Sequence, residues 1–235
     1  MFPGALYHVT ARGNRRAAIF LDRRDHLIWL DKLAATVEAH QFVVHGYCLM
    51  PNHYHLLVET PLANLPDGMQ MLNATFCQHF NQRHQLSGHV IQGRYHAVNV
   101  NKDAQLLAVA RYICLNPVRA HLVEHPADWP WSSHCHMMAP QAAPAWLETQ
   151  WLLAQFGQGP LAQQIKAYCE FVEAGRRLGH PLRKRQEPLS LQGYAARWPS
   201  TREAMKQAYM SQAYTRQQIA DYFGVSTRTV SRAIK

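Results

Sequence analysis

A short apolar stretch, residues 50–59, does most to limit how this chain can fold. It reads Met-Pro-Asn-His-Tyr-His-Leu-Leu-Val-Glu, and a further proline lies just beyond it, which is typical of a strand that the chain enters and leaves abruptly. Side chains on a strand alternate between its faces, so His53 and His55 share one face and Tyr54 points to the other. The sequence therefore predicts two parallel imidazoles on a rigid strand.

Along the first hundred residues, the spacing of apolar side chains alternates between that of strands and that of helices. Alternation with period two predicts strands, and helical spacing predicts helices between them. The order strand, helix, strand, strand, helix, strand is typical of an α+β fold with a ferredoxin-like antiparallel sheet, one face covered by helices and the other open. The strands are predicted over residues 5–12, 41–49, 53–59 and 96–100, and the helices over residues 25–40 and 65–84.

Further polar residues of interest lie on a helix predicted to be capped by Asp103 and to run up to Asn116. Tyr112 and Asn116 are four residues apart and therefore share one helix face. Neutral histidine is the commonest metal ligand in proteins, so His53 and His55 suit a divalent cation. The Asn116 amide oxygen could complete such a site, with the Tyr112 phenol aimed at a bound phosphate.

Tyrosine is a weak nucleophile at neutral pH. A free phenol has a pKa of about 10, so about one molecule in a thousand is ionised, a handicap near 4 kcal/mol. A cation that polarises the phosphate offsets a deficit of that size. The competing interpretation is that the two histidines are unrelated polar residues and that Tyr112 and Asn116 only shape a helix end before proline.

The charge balance points to a polyanionic partner. Lys and Arg outnumber Asp and Glu by 24 to 15, which gives a net charge of +9 with histidine neutral. The chain has no run of eighteen apolar residues and no signal-peptide pattern, so we expect a cytoplasmic protein that does not enter a membrane. Five scattered cysteines without a Cys-x-x-Cys pair disfavour a disulfide framework or structural zinc.

Two segments combine basic and polar side chains with glycines. Guanidinium groups and bare backbone amides in such segments can contact phosphates and splayed bases, although plain solvated loops would have a similar composition. The candidates for nucleic-acid contact are Arg12, Asn14, Arg15 and Arg16 in the first segment and Arg83, His84, Gln92 and Arg94 in the second.

Five motifs in order resemble the REP-associated tyrosine transposases, a branch of the single-tyrosine HUH superfamily that acts on single-stranded DNA. The resemblance covers about residues 1–138. Relatives from insertion sequences usually have Gln where this chain has Asn116. The motifs are residues 7–14, 50–58, 80–84, 88–95 and 111–120.

The resemblance implies roles for particular residues. His53, His55 and Asn116 would hold Mg²⁺ or Mn²⁺. Tyr112 would attack a DNA phosphodiester, form a 5′-phosphotyrosine and release a 3′-OH. Arg119, in the last motif, joins the candidates for DNA contact.

The rest of the chain departs from this pattern. We predict a transposase domain over residues 1–138, a linker and helical extension over 139–190, and a DNA-binding helix-turn-helix region over 191–235. On this division the first domain should cleave a hairpin without the rest of the chain. A plain helical hairpin is the alternative at the end of the chain. The recognition helix would present Thr227, Arg228, Thr229 and Arg232 to the major groove of duplex DNA.

Together these features predict a metal-dependent enzyme that cleaves single-stranded DNA and transfers strands at hairpin sequences. Two alternatives remain at this stage: a DNA-binding regulator that recognises hairpins without cleaving them, and an RNA-binding protein that uses the open sheet. We expect a nucleoid-associated monomer or homodimer. Nucleotide hydrolysis is not expected, because the sequence has no Gly-rich phosphate loop with lysine.

Overall fold

The computed structural model describes residues 1–101, 105–177, 189–211 and 214–234. The chain divides into two compact units, Met1–Pro181 and Leu182–Lys235. Asp103, the predicted helix cap, lies outside the described residues. No helix within the described ranges is long and apolar enough to cross a membrane.

The first unit is built on an antiparallel sheet. Its strands and long helices are β1 (Ala5–Arg12), α1 (Arg23–His40), β2 (Val43–Met50), β3 (His53–Thr60), α2 (Leu65–His84) and β4 (His96–Asn99). The strand order across the described sheet is β2-β3-β1-β4, so β1 lies between β3 and β4. This topology confirms the predicted ferredoxin-like α+β fold.

One face of the sheet packs against α1 and α2. Tyr7 and Val9 of β1 and Tyr54 and Leu56 of β3 point into this core, each at most 6% exposed. The Tyr54 hydroxyl donates to Asn73 Oδ1 on α2 at 2.7 Å, which satisfies the one polar atom of that side chain. Tyr54 therefore lies on the opposite face from the histidines beside it, as predicted.

The other face of the sheet is also covered, which corrects the expectation of an open face. Leu6 and Leu57 on this face are apolar, and exposing them to water would be unfavourable. They pack in a second core with several of the remaining helices of the first unit. Those helices are α3 (Leu106–Cys114), α4 (Asn116–Arg119), α5 (His134–Met138), α6 (Gln150–Ala154) and α7 (Leu161–Ala174).

The segment from residue 139 to residue 147, predicted to begin with a linker, instead packs on the sheet. Leu147 is 5% exposed and forms a parallel bridge with Val44 of β2. The Glu148 amide donates to the Val44 carbonyl oxygen at 2.8 Å. Residues 139–177 therefore belong to the first compact unit, and the predicted boundary after residue 138 does not separate two structural units.

The second unit is helical in its described residues, as predicted. Its helices are α8 (Leu191–Arg197), α9 (Thr201–Met210), α10 (Arg216–Phe223) and α11 (Thr227–Ile234). Thr215 and Gln218 form a capping box at the start of α10, and Gly224 ends α10 with φ +63°. Ile219 and Val230 pack together in a small core with α9.

Candidate active site

The two histidines of residues 50–59 lie at the start of β3, on the face that carries the second core. Their ring centroids are 5.0 Å apart, and the rings are nearly perpendicular. Across the strand pair, Arg12 is opposite His53 and Thr10 is opposite His55. His55 is 5% exposed, whereas His53 is partly accessible. The predicted side-by-side placement of the pair is what the structure shows.

Tyr112 on α3 lies against this pair. Its ring is 5.5 Å from the His55 ring and nearly perpendicular to it. Asn116 begins α4 one turn later, and its Nδ2 donates to the Tyr112 carbonyl oxygen at 2.8 Å. The Asn116 side chain also lies near the Tyr112 phenol and acts to lower its pKa. The predicted helix thus brings Tyr112 and Asn116 beside the two histidines of the predicted strand.

Burial and neighbouring charges tune these groups in different directions. Burial, assisted by the nearby Arg12 cation, lowers the pKa of His53 to about 4, so its imidazole is neutral at physiological pH. Burial raises the pKa of the Tyr112 phenol, and the Arg119 cation, the Asn116 side chain and the Arg12 cation act against that rise. The phenol therefore needs assistance to act as a nucleophile.

The arrangement fits a divalent metal. His53 Nδ1 hydrogen-bonds the Asn52 side-chain oxygen at 2.7 Å, and an imidazole that donates from Nδ1 keeps its Nε2 lone pair for a ligand bond. The Asn116 amide oxygen is a hard donor of the kind that Mg²⁺ and Mn²⁺ accept. Among the described residues, no group of three or more His, Cys, Asp and Glu side chains could hold a metal, so the candidate set is two imidazoles and one amide.

His8 is a site residue that the sequence analysis missed. It is 6% exposed on β1, and its Nε2 is 3.0 Å from His55 Nδ1. Its ring stacks on the His55 ring and meets the Tyr112 ring edge-on at 5.8 Å. The signal in the sequence was the alternation along β1, which places His8, Thr10 and Arg12 on the same face of an otherwise apolar strand.

The basic turn after β1, residues 13–20, is docked on the start of β3. The Gly13 amide donates to the Asn52 carbonyl oxygen at 2.8 Å, and Asn52 Nδ2 donates to the Arg16 carbonyl oxygen at 3.0 Å. Arg15 and Arg16 have φ values of 52° and 63°, a left-handed backbone that is costly for residues other than glycine. The side chains exposed on this side of the site are Arg12, Asn14, Arg15 and Arg16.

The segment before β4 also borders the site through its backbone. The Gln92 amide donates to the Arg12 carbonyl oxygen at 2.8 Å. Gln92 and Arg94 are exposed, as DNA contacts would require. Together with α2 this segment lines a groove of about 910 Å³ that includes Arg94 and Tyr95. A groove with a cation and an aromatic ring can accommodate a nucleotide.

Arg83 and His84, which are predicted as DNA contacts, form ion pairs within the protein. Arg83 forms ion pairs with Asp22 and Asp25, and His84 Nε2 is 3.0 Å from Asp25 Oδ1. Asp22 also caps α1 by accepting from two backbone amides. These side chains join the end of α2 to the start of α1. The Arg83 side chain is 21% exposed and Asp25 is 1% exposed, so the cluster is structural.

We expect Arg83→Met to reduce stability while leaving hairpin affinity nearly unchanged. The substitution removes the arginine partner of the buried Asp25 carboxylate, which keeps His84 and the Leu21 amide as partners. Arg94→Met is the matched control, because this arginine is exposed beside the groove. It should weaken hairpin binding without lowering the midpoint of urea unfolding. The reverse pattern for the two variants would restore Arg83 as a DNA contact.

Arg119 ends α4 beside the tyrosine. Its guanidinium carbon is 5.3 Å from the centre of the Tyr112 ring. Its Nη1 atom is buried and has no hydrogen-bond partner among the residues that the structure describes. A buried guanidinium nitrogen without a partner is unfavourable, so this position suits an anion brought by a ligand.

The candidate contacts of the second unit lie on α11. Thr227, Arg228, Thr229 and Arg232 are all exposed. The Thr229 hydroxyl is 3.0 Å from the Ser226 hydroxyl at the start of the helix, so this side chain also supports the helix cap.

Comparison with known proteins finds a family similar to the first part of the chain. Residues 2–116, which contain the sheet, helices α1 and α2 and the Tyr112 site, match the family model described as transposase, IS200-like. The match covers 115 of the 235 residues, so this part of the chain is similar to the IS200-like transposases.

A sequence match confirms the resemblance to the REP-associated branch, and a solved structure shares the fold. A Haemophilus influenzae protein assigned to the REP-associated tyrosine transposases is 31% identical over 110 residues. That alignment covers 42% of this chain and 62% of the relative, so the chain spans about three fifths of the curated relative. A solved structure of a REP-associated tyrosine transposase bound to a REP hairpin has a TM-score of 0.52 and 17% identity, over 63% of this chain and 87% of that chain.

Proposed function

We propose that this protein cleaves single-stranded DNA at REP-like hairpins and transfers the strand through a covalent 5′-phosphotyrosine. The observation that carries the proposal is the contact of Tyr112 with His55 and Asn116, beside His53. The family-model match of residues 2–116 supports DNA processing, and the hairpin bound by the structural neighbour supports the substrate class.

In the proposed reaction, the Tyr112 oxygen attacks a phosphorus atom and the bond from phosphorus to the 3′ oxygen breaks. The phenol proton is lost, and the 3′ oxygen leaves as a hydroxyl. A Mg²⁺ or Mn²⁺ ion held by His53, His55 and Asn116 would polarise the phosphate and stabilise its developing negative charge. The phosphotyrosine ester conserves a phosphodiester-like bond, so rejoining to another 3′-OH needs no nucleotide hydrolysis.

Charged residues around the site would hold the DNA. The exposed arginines of the turn after β1 and Arg94 suit phosphates and splayed bases of a hairpin. Arg119 would contact the phosphate next to Tyr112, which would satisfy its buried Nη1. In the second unit, α10 and α11 would act as a helix-turn-helix, with α11 in the major groove of duplex DNA. We accordingly place the protein at the nucleoid in the cytoplasm.

Loss of the metal site should abolish cleavage. We expect His53→Ala, His55→Ala and excess EDTA each to remove detectable strand cleavage, because each removes a ligand or the ion that offsets the weak nucleophilicity of the phenol. The measurement is cleavage of a labelled hairpin oligonucleotide with Mg²⁺ or Mn²⁺. His40→Ala, at the end of α1 on the other face of the sheet, is the control and should keep full activity. Undiminished cleavage in EDTA would rule out the metal-assisted mechanism.

A regulator that binds hairpins without cleaving them is the alternative. It shares the fold and the basic surface, so binding assays alone do not separate the two functions. The covalent adduct does: only the proposed enzyme yields a protein–DNA species that survives denaturation.

A further inference from the structure

His8 is placed to act on the metal site through His55. On the paired strands His8 is opposite Leu57, so His55 is its diagonal neighbour on the same face of the sheet. The ring centroids of His8 and His55 are 5.2 Å apart, and His8 Nε2 is within hydrogen-bond distance of His55 Nδ1. Both residues are buried, His8 with 6% and His55 with 5% of its surface exposed. In this geometry a single proton lies between His8 Nε2 and His55 Nδ1, so one nitrogen donates and the other accepts.

We propose that His8 is a positioning residue: its Nε2 accepts the Nδ1–H of His55 and so leaves the Nε2 lone pair of His55 for a divalent metal. The inference rests on the proposed function. A neutral imidazole has one donor and one acceptor nitrogen, and the partner of one nitrogen decides the role of the other. The opposite arrangement, with His8 donating, would put a proton on His55 Nε2 and block the ligand bond.

His53 and His55 are each oriented by a neighbour that contacts Nδ1. Asn52 supports His53 at Nδ1 with its side-chain oxygen, and His8 supports His55 at Nδ1 with its Nε2. Such outer partners of metal-binding histidines typically change metal affinity by 10- to 100-fold when they are removed. The His8 ring also meets the Tyr112 ring edge-on at 5.8 Å. Removal of this ring would therefore loosen the packing of His55 and Tyr112 together.

The test compares wild type, His8→Gln and His8→Leu in two measurements that do not depend on cleavage. Imidazole ¹⁵N NMR of the metal-free protein gives the tautomer of His55. Titration with Mn²⁺ in the absence of DNA gives the metal affinity. We expect the Nδ1–H tautomer of His55 in wild type. His8→Leu should lose this preference and bind Mn²⁺ about 10- to 100-fold more weakly. His8→Gln, whose side-chain oxygen can accept at nearly the same position, should retain most of both.

A matched control separates positioning from general damage to the sheet. His45→Leu removes another buried imidazole, 2% exposed on β2, which contacts Glu59 and Trp151. It should keep the wild-type Mn²⁺ affinity. An Nε2–H tautomer of His55 in wild type, or an unchanged Mn²⁺ affinity in His8→Leu, would overturn the inference. If His8→Leu does not fold, the wild-type tautomer and His8→Gln still decide it. Absence of cleavage by wild type would count against the proposed function alone, because neither readout involves DNA.

Discussion

Tyr112→Phe is expected to abolish cleavage and the covalent adduct while DNA binding stays nearly intact. Only the phenolic oxygen is lost, and the ring still fills the space between His55 and Arg119. Removal of an attacking side chain typically lowers the rate by more than about a thousandfold. The measurement pairs a denaturing gel, which detects the protein–DNA adduct, with a gel shift on the same hairpin.

Tyr95→Phe is the matched control for the nucleophile. Tyr95 also has an amide residue four positions later, Asn99, but it lies in the groove beside α2 and leads into β4. This variant should keep both cleavage and the adduct. Cleavage by Tyr112→Phe would refute the assignment and make Tyr95 the next candidate.

The second large effect concerns which truncated forms of the protein stay folded and active. Removal of residues 182–235 should leave hairpin cleavage intact, because the first compact unit ends at residue 181. Removal of residues 140–235 should abolish cleavage by unfolding the first unit. The sequence alone predicts the opposite for the shorter fragment, since the resemblance to the transposases ends near residue 138. The structure argues against that expectation, because α6 and α7 complete the core behind Tyr112.

The contacts that the shorter fragment would lose are specific. The Tyr168 hydroxyl on α7 contacts Cys114 Sγ at 3.2 Å and His134 Nδ1 at 2.9 Å. The Arg111 guanidinium, next to Tyr112, lies 4.1 Å from the centre of the Phe171 ring. The fragment would also lose four side chains no more than 2% exposed, worth about 6–12 kcal/mol together at about 1.5–3 kcal/mol each. These side chains are Leu152, Leu153, Tyr168 and Val172.

A loss of that size is comparable with the total stability of a typical domain, about 5–15 kcal/mol. Thermal unfolding and hairpin cleavage should therefore fail together in the shorter fragment and persist together in the longer one. A folded, active fragment of residues 1–139 would show that α6 and α7 are dispensable.

The same fragments test the second unit. Loss of residues 182–235 should weaken binding to duplex DNA, and Arg228→Ala with Arg232→Ala in the full chain should reproduce only that loss, because both side chains are exposed on α11. The measurement is the affinity of each protein for hairpin DNA and for duplex DNA, determined by gel shift. Equal duplex affinity in every protein would mean that α10 and α11 serve packing or assembly instead of DNA binding.

The sequence by itself determined the elements and the local geometry of the site. The predicted bounds of β1 and α2 agree with those in the structure, because each has a clear hydrophobic period and a definite stop. His53 and His55 share a face because a strand has period two, and Asn116 reaches Tyr112 because a helical turn places residues four apart in contact. These relations depend only on neighbours along the chain.

The tertiary structure decided everything that depends on which element lies beside which. His8 and His55 are 47 positions apart, and only the register of β1 on β3 brings them together. Arg83 looks like a DNA contact until α1 places Asp22 and Asp25 against it. The second sheet face is covered by α3, which carries Tyr112, together with helices that follow the last transposase-like motif. A local hydrophobic pattern shows that a surface must be buried, but it does not show which distant segment buries it.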